Sequence, residues 1–324
     1  MNLKFQMTNF EFRVPISPAG GLEHRFIRHS QFRIRNSKAF TLVEVMVVSA
    51  LLALIVLALM AVFNSTQTAF RAGITQTGVL ESGRAVTDLI KSDLEAMTPS
   101  FGSTFSYPTN KCGNRYFIVT NGVVNFYANT NFGYTLLQSL PGSGSQRANV
   151  LENFFILTRQ NRTWTGVGYV VDTASQPVNS LYRFSMSTNV MASDPWPLFN
   201  VFTNWVFNGA FTNMSHLMDG VVNLTVHAFD VNGAPIYFVG TNIMTIPPNF
   251  SCLGVQEPIG YVFYSNALPA SVEVELGILE DRTLQRAESL SGAAQLNYLS
   301  NHVGQVHIFR QRVWIRNVDP AAYQ

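Results

Sequence analysis

Charge is what this 324-residue sequence has least of: Asp, Glu, Lys and Arg make up 12% of it, about half the usual share. Net charge is +2, and the first 39 residues more than account for it. Residues 1–39 carry Lys4, Arg13, Arg25, Arg28, Arg33, Arg35 and Lys38 against Glu11 and Glu23, which leaves the remainder near −3. The chain beyond residue 39 therefore lacks the basic surplus of a nucleic-acid-binding surface. Cysteine is nearly absent. Cys112 and Cys252 are too few and too far apart for a zinc site. In an exported segment they are free to close a long loop as a disulfide, with two unrelated buried thiols the equal alternative. The sequence has no G-x-S-x-G, P-loop, H-E-x-x-H or Cys-x-x-Cys pattern and no internal repeat. Aromatics, by contrast, are plentiful, with 25 Phe, 11 Tyr and 4 Trp in a chain that is 47% hydrophobic. That composition supplies a sizeable core plus a membrane segment.

The segment is plain. Val45 to Phe63 reads VMVVSALLALIVLALMAVF, nineteen residues with one Ser and no charge, Pro or Gly. A helix needs about twenty such residues to cross the hydrocarbon core. Basic residues crowd its N-terminal side, which places the N-terminus in the cytoplasm and sends the rest outward. The run exceeds a secretory h-region, and the Asn64-Ser-Thr-Gln that follows offers no A-x-A cleavage site, so cleavage at its far end is not expected. At its near end a lone carboxylate, Glu44, lies in otherwise apolar sequence. Such a charge is costly in lipid and points to a partner.

The string around that carboxylate, Lys38-Ala39-Phe40-Thr41-Leu42-Val43-Glu44-Val45, resembles the type IV prepilin signature. In that pattern a small residue precedes an aromatic, Thr-Leu follows, and a Glu stands fifth after the cut. A basic leader before it and an unbroken apolar run after it belong to the same pattern, and Ala39 replaces the usual Gly. The resemblance implies that a prepilin peptidase cuts between Ala39 and Phe40 and methylates the new Phe40 amine. It also implies that Glu44, of this or a neighbouring subunit, pairs with that ammonium and sets the register of assembly.

Apolar positions continue at Phe70, Ile74, Val79, Leu80, Val86, Leu89, Ile90, Leu94 and Met97, mostly three or four apart. Arg84, Asp88, Lys91, Asp93 and Glu95 read as the polar face, and Pro99 and Gly102 as the stop. A helix over 40–97 would be about 87 Å long at 1.5 Å per residue. Gly73, Gly78 and Gly83 each cost about 1 kcal/mol against Ala and mark places where it could bend or melt. From Ser100 the period changes to two. Strands are expected at Tyr116–Thr120, Val123–Ala128, Phe154–Arg159, Gly168–Asp172, Leu181–Ser187, Val221–Phe229, Pro235–Val239, Tyr261–Tyr264, Val272–Leu279 and Val306–Ile315. Asn121-Gly122 and Asn232-Gly233 read as hairpin turns, Leu284–Leu299 as a helix, and Gly142–Gln146 and Ser193–Pro197 as loops.

Three stretches are similar to J-type minor pseudopilins of type II secretion: Arg84–Met97, Gly166–Met186 with its Leu181-Tyr182-Arg183, and Leu217–Tyr237 with Leu268–Leu279. The fold class expected is α+β and pilin-like: a basic leader (1–39) that is removed, a transmembrane and stalk helix (40–97) and a β-rich head (98–324). The resemblance implies a structural subunit at a pseudopilus tip, in the inner membrane with its head in the periplasm. Its partners would be the prepilin peptidase, other minor and major pseudopilins or pilins, an inner-membrane assembly platform and membrane lipid. A minor pilin of a type IV pilus or DNA-uptake system is the alternative. A membrane-anchored periplasmic enzyme or binding protein is the rival from another class.

Candidate chemistry in the head is sparse, and neither a cofactor nor catalytic residues are expected. His302 and His307 read as surface or packing histidines before metal ligands. Glu273 and Glu275 share a strand face, with Glu280-Asp281 after them. An acid–base pair or a calcium site is conceivable there, and a solvated face is the plainer reading. Trp196, Phe199, Phe202, Trp205, Phe207 and Phe211, within the aromatic- and Asn-rich stretch 191–215, suit either a contact surface or core.

Overall fold

In the computed structural model the described residues are 41–102, 123–130, 136–140, 142, 145–172, 178–189, 195–236, 242–246 and 260–323. The chain divides into two units, Met1–Val62 and Phe63–Gln324. The first is represented by the start of helix α1 (Leu42–Glu95), an α-helix of 54 residues. Its residues 42–62 are all exposed, and α1 is long and apolar enough to cross a membrane.

In the second unit α1 becomes one-sided. Val79, Val86, Ile90, Leu94 and Met97 are buried, while Arg84, Asp88 and Lys91 face solvent. The spacing of those apolar residues, close to multiples of a turn, turns one stripe to the sheet. The helix runs through all three glycines without a break. Gly83 has a packing reason: a Cβ there would overlap the ring of Phe309. The helix ends at Glu95, not Met97, which instead bridges Thr158.

The sheet is antiparallel throughout its nine strands. They are β1 (Val124–Thr130), β4 (Glu152–Gln160), β5 (Thr163–Val171), β6 (Asn179–Asn189), β7 (Ser215–Phe229), β8 (Ile243–Ile246), β9 (Gly260–Tyr264), β10 (Ser271–Leu279) and β11 (Val306–Trp314). The order across the sheet is β11-β10-β7-β6-β5-β4-β1-β9-β8, and β2 (Leu136–Ser139) with β3 (Gln146–Asn149) forms a separate hairpin. Both faces are covered. On the first, Phe126, Phe154, Ile156, Tyr169, Leu224 and Val274 join the α1 stripe in one core. On the second, Phe155, Leu157, Trp164 and Phe184 meet helix α2 (Trp196–Phe207). A smaller cluster of Leu136, Val178, Val222, Leu279, Ala287 and Leu299 involves α3 (Asp281–Glu288) and α4 (Gly292–Ser300).

Several local expectations change. Ser193–Pro197 is not all loop, because α2 starts at Trp196 with Pro197 in its first turn, where a missing N–H costs nothing. Gly142–Gln146 runs into β3. The single helix expected over Leu284–Leu299 is two, parted at Gly292, whose φ of +57° suits a residue without Cβ. Asn232-Gly233 does turn the chain, with Gly233 at φ +80° and the Asp230 carboxylate accepting from Asn232 and Ala234 N–H at 2.9 and 2.8 Å. Of Pro235–Val239 only the bridge from Pro235 to Phe229 is seen; its last three residues, Tyr116–Thr120 and Asn121-Gly122 lie outside the described residues.

Candidate functional site

At the start of α1 the Glu44 N–H donates to the Thr41 hydroxyl at 3.3 Å. Thr41-x-x-Glu44 has capping-box spacing, so Thr41 caps the helix and Glu44 stands in its first turn, where the macrodipole favours an anion. Glu44 is exposed and so are the apolar residues after it through Phe63. The helix thus presents one carboxylate at the N-terminal end of an uncovered apolar surface. Ala39, Phe40, Cys112 and Cys252 lie outside the described residues.

The second built feature lies in the 63–324 unit, where the end of α1 meets the sheet. Asp93, which the sequence places on the polar face, instead turns inward. Arg183 of β6 grips it with both ends of its guanidinium, at 2.8 and 3.0 Å, and the Tyr169 hydroxyl of β5 donates to the same carboxylate. Hydrogen bonding to Asp93 raises the Arg183 pKa further. Burial, then Asp93, pushes Tyr169 far above its ordinary value. The Asp93 carboxyl, the Arg183 guanidinium and the Tyr169 hydroxyl thus satisfy one another. Just beyond, the fully buried Asn125 accepts the Ser100 N–H at 3.0 Å and donates to Ser265 and Ala267 carbonyls at 2.8 and 3.0 Å. Phe101, exposed and at φ +53°, donates its N–H to Ser265 at 3.0 Å.

The head residues singled out for chemistry are dispersed. His302 Nδ1 meets the Tyr298 carbonyl at 2.6 Å, whereas His307 Nε2 faces Glu280 at 3.0 Å. Glu273 pairs with Arg310, and Glu275 with Arg147 at 2.7 Å and with Asn223 at 3.1 Å. Asp281 opens α3. Among the described residues no three His, Cys, Asp or Glu side chains come together as metal ligands. Of the aromatic segment, Phe199 and Phe202 are buried against Phe155 and Tyr127 or Phe184, Trp205 is partly buried, Phe211 stacks on Tyr182, and Phe207 is exposed. It is mainly core.

Sequence reasoning missed the hub at Asp219, where Ser180 donates its hydroxyl and His216 Nε2 approaches at 2.8 Å. Burial alone would raise the Asp219 carboxyl, but the Ser180 hydroxyl and His216 outweigh it and hold the pKa low. The arrangement pins the irregular register between β6 and β7.

A family model, the prokaryotic N-terminal methylation motif, matches residues 34–60, a span that takes in Ala39, Phe40, Glu44 and the start of α1. The match supports a type IV pilin-like chain that a prepilin peptidase processes and that assembles with other pilins. No curated protein and no solved structure matches the chain.

Proposed function

We propose that this chain is a minor pseudopilin, a structural and not a catalytic subunit of a type II secretion pseudopilus. The observation that carries the reading is the methylation motif at 34–60 placed on a helix that continues unbroken to Glu95 and joins a β-rich head. In this reading the leader 1–39 is removed at the inner membrane between Ala39 and Phe40, and the Phe40 amine is methylated. The helix spans the membrane with its N-terminus in the cytoplasm and the head in the periplasm, and the subunit joins other minor pseudopilins at the tip. The new ammonium lies at a low-dielectric edge, where an unpaired charge is expensive and a paired one is not. Glu44 supplies the partner, and the pairing fixes how far one helix slides along the next.

Intact mass and N-terminal sequencing of the protein from native membranes test this. The expected result is a chain beginning at methylated Phe40. A chain that keeps residues 1–39, or one cut after Phe63, overturns the pilin reading. The motif itself serves type IV pili equally. Co-purification with pilus subunits in place of secretion components would move the assignment to a minor pilin.

A further inference from the structure

Among the described residues one long edge of the sheet is unpaired. β11 pairs with β10 over nine residues, Ser271↔Trp314 to Leu279↔Val306, without a register shift, and it ends the strand order. The Ile315 N–H donates to the Ala270 carbonyl at 3.0 Å and the Gln305 carbonyl accepts from Glu280 at 3.1 Å. Odd-numbered residues of β11 therefore turn their backbone groups toward β10. The alternation of an antiparallel ladder turns those of Val306, Ile308, Arg310, Arg312 and Trp314 to the open side. Among the described residues no other backbone hydrogen bond reaches this strand.

The side chains of those residues form one row, and its chemistry is specific. Ile308 is 47% and Trp314 62% exposed. The Arg312 guanidinium lies over the Phe229 ring at 3.8 Å and the Trp314 ring at 5.1 Å, and its Nε–H donates to the Ser271 hydroxyl at 2.9 Å. Residues 303–318 contain His307, Arg310, Arg312 and Arg316 and no acid; His307, Arg310 and Arg316 face Glu280, Glu273 and Glu95 of other segments, and Arg310 stays largely exposed. The strand already seated on the inner edge shows what such a row accepts. β10 alternates carboxylates with aliphatic side chains, Val272-Glu273-Val274-Glu275-Leu276, and Glu273 pairs with Arg310. Arginines on an edge also serve to repel stray strands, but a guarded edge has no use for an exposed Ile and Trp in the same row.

We propose that the open edge of β11 receives an extended acidic segment of a partner protein. That segment alternates carboxylates with aliphatic residues and joins the sheet as a further strand, its carboxylates over Arg310 and Arg312. Backbone bonds supply affinity and the arginine row supplies selection. This goes beyond the pseudopilin assignment and stands whether or not residues 1–39 are removed.

The test uses the full-length protein in detergent and two blocked nine-residue peptides: a copy of Ser271–Leu279 and a twin with both Glu replaced by Gln. Amide exchange is read residue by residue. The acidic peptide is expected to slow exchange at Ile308, Arg310, Arg312 and Trp314 and leave the odd-numbered amides unchanged. The Gln twin should bind about three- to tenfold more weakly, the size of two exposed charge pairs. Ile308→Pro deletes one outward N–H without touching the β10 ladder, so it should abolish binding and leave thermal unfolding unaltered. If Ile308→Pro does not fold, the exchange pattern of the unsubstituted protein decides alone. Exchange unchanged at the even-numbered amides, or equal affinity for both peptides, overturns the proposal.

Discussion

Asp93 shows how much one side chain can settle. It ties α1 to two neighbouring strands through Arg183 and Tyr169, and both charged side chains are largely shielded, at 22% and 15% exposure. Asp93→Asn is expected to cost about 1–3 kcal/mol, because it leaves a partly buried guanidinium without its counter-charge. The double substitution Asp93→Leu with Arg183→Met should cost less than the two singles summed. Denaturant unfolding of the four proteins reads this out, and strict additivity would mean the pair is only decorative. Tyr127 makes a pH prediction. Burial lifts its hydroxyl to about 12, partly offset by Asn129. The unfolded chain loses that proton near pH 10 and the folded one does not, so the folded state binds more protons and stability falls as pH rises. The loss runs from about pH 10 to pH 12 and amounts to about 2–3 kcal/mol. In Tyr127→Phe this part of the alkaline decline should vanish from the stability-against-pH curve.

Among the elements, the glycines of α1 separate by position. At Gly73 and Gly78 nothing lies within 4 Å of an added Cβ, so Ala should firm up that stretch by about 1 kcal/mol per site. At Gly83 the added Cβ meets the Phe309 ring and the Ile278 side chain, so Ala there should lower the melting temperature of the head, by an overpacking cost of about 1–3 kcal/mol. Circular dichroism melts of the three single variants check the contrast. Legibility followed the same physics. The apolar run and its lone Glu44 were readable because a carboxylate is costly in lipid and stands out in such sequence. The central strands were readable because Val, Ile, Tyr and Phe dominate them. The helix α2 was not, since Asn200, Thr203 and Asn204 lower local helix propensity and only packing of Leu198, Phe199 and Phe202 on the sheet makes the segment helical. The short, polar β3 carries no period-two signal, and Asp93 looked solvated because its partners lie 76 and 90 residues away.

For the whole molecule, the proposed function makes processing and assembly separable. Glu44→Gln keeps the size of the side chain and removes its charge. It should leave cleavage at Phe40 intact, as read by mass, yet lower incorporation into sheared fibres by about tenfold or more, the scale of one unpaired charge at a membrane edge. Equal incorporation would remove Glu44 from the assembly step. The methylation motif was therefore legible because it is local in sequence, at residues 34–60, whereas the Asp93 contacts were not, because they depend on strands folding back over α1.

The attachment of α1 to the head has a mechanical meaning. Its contacts are spread from Val79 to Leu94 and reach Phe309 on β11, Arg183 on β6 and Tyr169 on β5. A pull on the helix enters the sheet at several strands at once, so tension is divided among many small bonds and no single one must fail first. The sheet would yield to such a pull only at forces that break those bonds together.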